Sequence, residues 1–150
     1  MSSYTQFYYH IVFGTKHHKP TIAAVHCELL YKYMWGIMQH KNCKLYRING
    51  GNDHIHIFVD IPPKIGVADF VKDLKVSSSI WLKQQLEFKQ FEGWAEGYGG
   101  FTISHSDKDR VIDYIKNQKQ HHTKTPFIEE YRALLKEYGM ELDENDLIKL

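Results

Sequence analysis

The sequence predicts an α+β fold built around one antiparallel β-sheet. Short segments in which apolar and polar residues alternate predict strands, and longer segments whose apolar residues recur every three or four positions predict helices. Along the 150 residues the order is strand, helix, strand, strand, helix, strand, and two further helices follow. Because no repeat or low-complexity segment interrupts the chain, this order itself indicates the fold class.

The first half of the chain predicts three strands and one helix. QFYYHIVFGT (6–15) is aromatic and β-branched, which favours a strand. After the basic loop KHHKP, apolar residues recur at helical spacing from Thr21 to about His40. CKLYRING (43–50) and HIHIFVD (54–60) predict two strands, and the GGND that joins them favours the turn of a hairpin.

The second half predicts one strand and three helices. Apolar residues at helical spacing predict a helix from about Gly66 to Gln85, and FTIS (101–104) predicts a fourth strand after a glycine-rich approach. Asp107 is a candidate N-cap or first-turn acid for a third helix, DKDRVIDYIKNQKQ (107–120). The last helix, FIEEYRALLKEYG (127–139), follows a proline and ends at a glycine.

This order is the split βαβ order of a ferredoxin-like βαββαβ sandwich, in which two crossover helices cover one face of an antiparallel sheet. The third and fourth helices are additions to it. Alternation along HIHIFVD places its isoleucines under the crossover helices, so His54, His56 and Phe58 face the other, partly open side. We expect one domain over residues 1–150, with a core over about 4–125 and a C-terminal helix and acidic tail over 126–150.

Composition and charge describe an ordinary globular protein with a weakly basic body. Hydrophobic residues make up 43% of the chain and charged residues 25%, which argues against a disordered or fibrous protein. Residues 1–120 carry 15 Lys and Arg against 11 Asp and Glu, whereas residues 121–150 carry 4 against 7. This distribution is compatible with a polyanionic ligand but does not require one.

The sequence also predicts a cytoplasmic protein. Its longest apolar runs are too short to cross a bilayer, and its first residues lack the basic-then-apolar pattern of a secretory signal. Cys27 and Cys43 form no CxxC pair and suit a reduced compartment. We therefore expect no membrane partner, no disulfide framework and no cysteine-based zinc site.

Two imidazoles lie side by side on the third predicted strand. Side chains alternate along a strand, so His54 and His56 share one face. An isolated pair of this kind is usually two surface or hydrogen-bonded imidazoles. Two neutral imidazoles are also a good start for a divalent cation site, which needs further ligands.

The third predicted helix offers further polar groups. Tyr114 and Gln118 are four residues apart and share one helical face, a pattern that on its own is typical of a core residue with a solvated neighbour. A tyrosine hydroxyl, with an ordinary pKa of about 10, is a poor nucleophile, but a divalent cation that polarises a phosphate makes attack on phosphorus feasible. Such an attack exchanges one phosphodiester for another without ATP, and the sequence contains no Walker motif.

Taken together, these motifs resemble those of a known family. HIH resembles the His-hydrophobic-His motif of the HUH endonucleases, and DYIKNQ resembles the catalytic helix of the single-tyrosine transposases of small insertion sequences. FYYHIVFGTKHHKP, KDLKVSSSIWLK and WAEGYGGFTIS extend the resemblance over roughly residues 4–125. REP-associated tyrosine transposases are close relatives of the same family.

The resemblance implies a metal-dependent enzyme that breaks and rejoins DNA. His54, His56 and Gln118 would bind Mg²⁺ or Mn²⁺, and Tyr114 would be the nucleophile. Family members cleave single-stranded DNA near a hairpin and leave a 5′-phosphotyrosine and a free 3′-hydroxyl. They act as homodimers, in which the tyrosine helix can complete the partner's site. Tyr114 is the only tyrosine of DYIKNQ, which fits the single-tyrosine class.

Three basic residues are candidates for contact with DNA. Lys16 and Lys19 lie in the loop after the first strand, and Arg47 lies on the second strand. A lysine or arginine near a polyanion can contact phosphates, but any solvated surface also displays such charges. The sequence alone does not separate these two roles.

Three alternatives to an active transposase remain. A domesticated relative that nicks palindromes would need the same site. A non-catalytic module that binds single-stranded nucleic acid would stack bases on aromatic residues of an open sheet face, where this chain shows histidines. A zinc hydrolase would need a third histidine or a carboxylate; Asp53 precedes His54, and strand alternation would point it to the opposite face.

Overall fold

The computed structural model describes residues 2–119 and 125–147. Its strands are β1 (Tyr8–Gly14), β2 (Lys44–Gly50), β3 (His54–Asp60) and β4 (Gly99–Ile103). Its α-helices are α1 (Cys27–His40), α2 (Val67–Gln84), α3 (Lys108–Lys116), α4 (Phe127–Glu137) and α5 (Glu144–Leu147). The predicted order of elements is therefore present.

The four strands form one antiparallel sheet in the order β2-β3-β1-β4. The helix α1 connects β1 to β2, and α2 connects β3 to β4, so the predicted ferredoxin-like arrangement is confirmed. The central pair of strands sets the position of the two histidines of β3. His54 lies opposite Gly14, and His56 lies opposite Val12.

Each face of the sheet buries its own apolar cluster. On one face, Ile55, Ile57 and Val59 pack into the main core with residues of α1 and α2. On the other face, Phe58 packs with residues of β1, β4, α3 and α4. The alternation along β3 is as predicted, but the histidine face is covered by two helices instead of being partly open.

The first helix begins later than its apolar spacing predicts. It was expected from Thr21, but α1 begins at Cys27, after a 3-10 turn over Ala24–His26. The backbone amide of Ile22 donates to the carbonyl of Asn52 in the turn between β2 and β3. This hydrogen bond ties the segment to the sheet, so its amides are used outside a helix.

Two glycines of the sheet allow α4 to lie close to it. A Cβ atom on Gly14 would lie 3.0 Å from a ring carbon of Phe127, and one on Gly99 would lie 2.9 Å from a ring carbon of Tyr131. Both aromatic residues belong to α4 and are buried. The absence of a side chain at these two positions therefore creates the space in which α4 docks.

Cys27 and Cys43 are buried thiols. Within residues 2–119 and 125–147, none of the α-helices combines the length and the apolar character needed to cross a membrane. The predicted single-domain organisation stays a prediction.

Candidate metal and tyrosine site

Two buried imidazoles form the centre of the site. His54 and His56 face α3 and α4 from the middle of the sheet, and each is 0% exposed. Phe127 of α4 stacks on the His54 ring, with the ring centroids 4.3 Å and the ring planes 10° apart. The predicted pair of imidazoles is present, but it lies beneath a helix instead of on a surface.

Each of these imidazoles has a close partner at its Nδ1 atom. His54 Nδ1 lies 2.8 Å from Asp53 Oδ1, and His56 Nδ1 lies 2.8 Å from His10 Nε2. The expectation that Asp53 points away from His54 is wrong, because Asp53 lies in the turn before β3, where strand alternation does not apply. With Nδ1 engaged in this way, the Nε2 atom of each ring faces the residues that follow α3 or those of α4.

His10 is a site residue that the sequence analysis missed. It lies on β1, is 1% exposed, and packs its ring against both His56 and Tyr114. Burial and the neighbouring His56 hold the pKa of His10 well below its ordinary value, so the ring is neutral at pH 7. The available signal was a histidine in the middle of an apolar strand, between Tyr9 and Ile11.

The end of α3 is fixed to the sheet by one side chain. The Asn49 amide on β2 donates to the carbonyls of Ile115 and Lys116, at 3.1 and 3.0 Å. The regular helix α3 ends at Lys116, and after a turn at Asn117 residues 118–119 are again helical, whereas the predicted end at residue 120 lies outside the described residues. Gln118 lies two residues after the end of α3, is 0% exposed, and places its Oε1 3.0 Å from His54 Nε2. The structure therefore brings Gln118 to the histidine pair.

Tyr114 contacts the same site through Glu130, a residue of α4. Its hydroxyl donates to Glu130 Oε1 at 2.8 Å, and the same oxygen lies 2.8 Å from His56 Nε2. Burial and the Glu130 carboxylate raise the pKa of Tyr114 above its ordinary value. The phenol is therefore protonated at neutral pH and needs activation before it can act as a nucleophile.

Glu130 is the second residue that the sequence analysis missed. It is 8% exposed. Burial opposes ionisation of the carboxyl group, but the hydrogen bond from His56 and the charges of His56 and His54 outweigh it and lower the pKa of Glu130 to about 2. A signal was present: Phe127, Tyr131 and Leu134 form an apolar stripe, and position 130 falls within it. A carboxylate on such a stripe is unusual unless it has a partner.

The donor atoms of this cluster suit a divalent cation. The Nε2 or Nδ1 atoms of His54 and His56 and a carboxylate oxygen of Glu130 lie within 4.8 Å of one another. Among the described residues, the buried Oε2 of Glu130 has no hydrogen-bond partner. Imidazole nitrogens favour transition metals such as Zn²⁺, whereas carboxylate oxygens favour Mg²⁺ and Mn²⁺, so the group could hold a metal ion whose identity this mixed donor set does not select.

The three basic candidates lie away from this cluster on the surface. Lys16, Lys19 and Arg47 are all exposed. Lys19 forms an ion pair with Glu92 at 3.0 Å, which reduces its availability for a phosphate. The loop of Lys16 and Lys19 reaches α4 through a ring contact of His18 with Phe127, whose centroids lie 5.6 Å apart. A DNA role for these residues stays a prediction.

The structure also bears on the alternatives to a transposase. The aromatic residues Phe58 and Phe101 of the histidine face are buried under α3 and α4, so they offer no open platform for stacked bases. Glu130 supplies the carboxylate that a zinc hydrolase would need. The ligand set alone therefore does not exclude a zinc hydrolase, and the choice depends on what the chain is related to.

Comparison with known proteins decides this question. Residues 3–118 match the model of the family described as "Transposase IS200 like". The chain belongs to the IS200-like transposase family. The matched segment contains His54, His56 and Tyr114 and ends at Gln118, whereas Glu130 lies beyond it.

Two individual relatives of this chain are also transposases. The transposase for insertion sequence element IS200 of Salmonella typhimurium is 30% identical over 115 residues, which cover 73% of this chain and 75% of that protein. The ISDra2 transposase TnpA of Deinococcus radiodurans is 24% identical over 118 residues, covering 75% and 84%. Membership of the IS200-like family supports a DNA transposase, an enzyme that cleaves and transfers DNA.

A solved structure shares the fold. A REP-associated tyrosine transposase bound to a REP hairpin superimposes with a TM-score of 0.62 at 12% identity, covering 81% of this chain and 74% of that one. At this identity the similarity concerns the fold. The predicted resemblance to single-tyrosine transposases, with REP-associated enzymes as close relatives, is confirmed.

Proposed function

We propose that this IS200-like transposase cleaves and rejoins single-stranded DNA through Tyr114, with a divalent cation, Mg²⁺ or Mn²⁺, held by His54, His56 and Gln118. The observation that carries the proposal is the convergence of the Tyr114 phenol and the His56 imidazole on one carboxylate oxygen of Glu130. Groups from β3 and α3, far apart in sequence, thereby occupy one small site. The bound cation would polarise a phosphodiester oxygen and make phosphorus more electrophilic.

The protein's own residues position the reacting groups. Asp53 and His10 orient the two imidazoles through their Nδ1 atoms. Asn49 fixes the end of α3 on the sheet. It thereby sets the position of Gln118, which comes four residues after Tyr114, relative to the histidines. A phosphodiester bound beside Tyr114 would face a partly buried phenol whose pKa is raised by burial and by Glu130.

The reaction exchanges one ester for another. The Tyr114 oxygen forms a bond to phosphorus as the bond between phosphorus and the 3′ oxygen breaks. The phenol gives up a proton and the 3′ oxygen gains one, so the products are a 5′-phosphotyrosine and a 3′-hydroxyl. Attack by a 3′-hydroxyl on the phosphotyrosine reverses these steps and rejoins the strand without ATP.

The substrate we propose is single-stranded DNA that carries a hairpin, and the proposed assembly is a homodimer. The REP-associated relative was solved with a REP hairpin, and its fold is the fold of this chain. Lys16, Lys19 and Arg47 are the candidate phosphate contacts outside the site. Flanking element ends in the genome would distinguish a mobile element from a domesticated palindrome-nicking relative, because both need the same site.

The nucleophile can be tested with a covalent-adduct assay. The protein is incubated with hairpin-bearing single-stranded oligonucleotides and Mn²⁺, and the adduct is measured on a denaturing gel and by mass spectrometry of the tyrosine peptide. Tyr114→Phe should lose the adduct and retain DNA binding, because it lacks only the attacking oxygen. An adduct formed by this variant would remove Tyr114 from the role.

A matched control is available at Tyr138, directly after the end of α4. Tyr138→Phe removes the same hydroxyl from a partly buried tyrosine whose ring stacks on Phe101, and it should retain the adduct. His54→Ala should lose both cleavage and Mn²⁺ binding, because it removes a nitrogen ligand. Unchanged Mn²⁺ binding by His54→Ala in calorimetry would contradict the proposed metal site.

A further inference from the structure

We infer that Glu130 is a fourth protein ligand of the metal, so that α4 supplies a charged donor to a site whose other donors are neutral. The inference rests on the proposed metal-dependent function and adds a residue to it. Glu130 lies outside residues 3–118, the segment that matches the family. It is therefore a ligand that the family motif would not identify.

The spacing of the donor atoms supports this assignment. Neighbouring ligands of an octahedral ion with bonds of about 2.0–2.1 Å lie about 2.8–3.0 Å apart. His56 Nε2 and Glu130 Oε1 are 2.8 Å apart, and His54 Nε2 and Gln118 Oε1 are 3.0 Å apart. The four atoms thus form two pairs, each at the separation of adjacent ligands of one ion.

The charge of the site supports it as well. When they bind a cation, the two imidazoles and the amide carry no charge, and a divalent cation in a buried site without an opposite charge is strongly unfavourable. Glu130 is 8% exposed, and among the described residues its Oε2 atom has no hydrogen-bond partner. A carboxylate with one unused oxygen, held against the histidine pair, offers the charge and the lone pairs that a hard cation takes.

The position of Glu130 is set by the packing of α4. Phe127, one turn earlier, stacks on His54, and Tyr131 packs over Gly99. These contacts fix the helix on the sheet independently of the carboxylate. The Glu130 carboxylate is therefore already in place beside the histidines, so it would be able to bind the cation before DNA supplies a phosphate oxygen as a further ligand.

The test measures Mn²⁺ binding without DNA. Calorimetry compares the full-length wild type with Glu130→Gln, Glu130→Ala, His54→Ala and Glu129→Gln. Glu130→Gln keeps the shape and an oxygen that can accept from Tyr114, but removes the charge. Glu129→Gln removes the same charge from the exposed neighbour on the same helix, and circular dichroism checks that each variant is folded.

We expect the wild type to bind one Mn²⁺, both Glu130 variants to bind at least about tenfold more weakly, and Glu129→Gln to bind as the wild type. Equal or tighter binding by folded Glu130→Gln would overturn the inference, since the carboxylate would then be a bystander or a competitor for the site. If His54→Ala also bound as the wild type, or the wild type bound no Mn²⁺, the proposed metal site itself would fail. Loss confined to the Glu130 and His54 variants would support the inference.

Discussion

At the scale of single residues, the two imidazoles of β3 differ in what holds them. His54 has a carboxylate, Asp53, at its Nδ1 atom, whereas His56 has the neutral ring of His10. To bind a cation through Nε2, His56 must carry its hydrogen on Nδ1, and His10 Nε2 lies 2.8 Å away to accept it. In the proposed metal site, His10 would therefore set which nitrogen of His56 meets the cation.

His10→Leu should lower the affinity for Mn²⁺ by about 10–100-fold, the usual range for loss of a partner of a metal-binding histidine. His10→Gln, which retains an acceptor, should recover part of that affinity. Calorimetry measures the binding, and ¹⁵N NMR reports which nitrogen of His56 is protonated. His26→Leu makes the same chemical change away from the site and should have no effect. Equal losses in the Leu and Gln variants, with an unchanged His56 spectrum, would indicate a packing role only.

At the scale of elements, the site is assembled by two helices on the face of the sheet opposite α1 and α2. α3 presents Tyr114 and is held at its end by Asn49, while α4 presents Glu130 and is held by aromatic contacts over two glycines. Each helix is thus positioned by groups that are not themselves reactive. A change in one of these anchors should alter the site without removing any reacting group.

Asn49→Ala should lower the free energy of unfolding by about 1–3 kcal/mol, because two carbonyls at the end of α3 lose their donor. Asn49→Asp keeps the shape but replaces the amide donor with a carboxylate, so it should be at least as destabilising. Urea denaturation measures both, and the yield of the Tyr114 adduct should fall in both. Wild-type stability of Asn49→Asp would mean that the two hydrogen bonds do not anchor α3.

At the scale of the whole molecule, the tyrosine helix docks on the sheet of its own chain. The family resemblance allows a dimer in which this helix completes the partner's site, but here Tyr114, Glu130 and His56 meet within one chain. The two arrangements make opposite predictions for a dimer that combines two inactive chains.

A mixed dimer of Tyr114→Phe and His54→Ala chains should form no covalent adduct, because neither chain has both the nucleophile and the complete histidine pair. The mixed dimer can be isolated with two different affinity tags, and its size measured by light scattering. The wild type, carried through the same purification, should form the adduct. Recovery of adduct by the mixed dimer would show that the tyrosine helix reaches the partner's site.

Periodicity along the sequence predicted which helices and strands form, but it predicted the residues at which they begin and end less well. The alternation of β3 and the helical spacing of α2 follow from side-chain direction, which depends only on neighbours in sequence. The start of α1 and the end of α3 depend on hydrogen bonds to Asn52 and from Asn49, which lie elsewhere in the chain. Such bonds between distant segments leave no periodic signal.

The sequence by itself determined the order of the elements, the shared face of His54 and His56, and the resemblance to single-tyrosine transposases from which Tyr114 and Gln118 are predicted as site residues. Only the tertiary structure decided that Asp53 and His10 hold the imidazoles and that Glu130 enters the site from α4. The physical reason is that a strand or helix period fixes the direction of a side chain relative to its own element. Which distant group it then meets depends on how the sheet register and the packing of α3 and α4 bring those elements together.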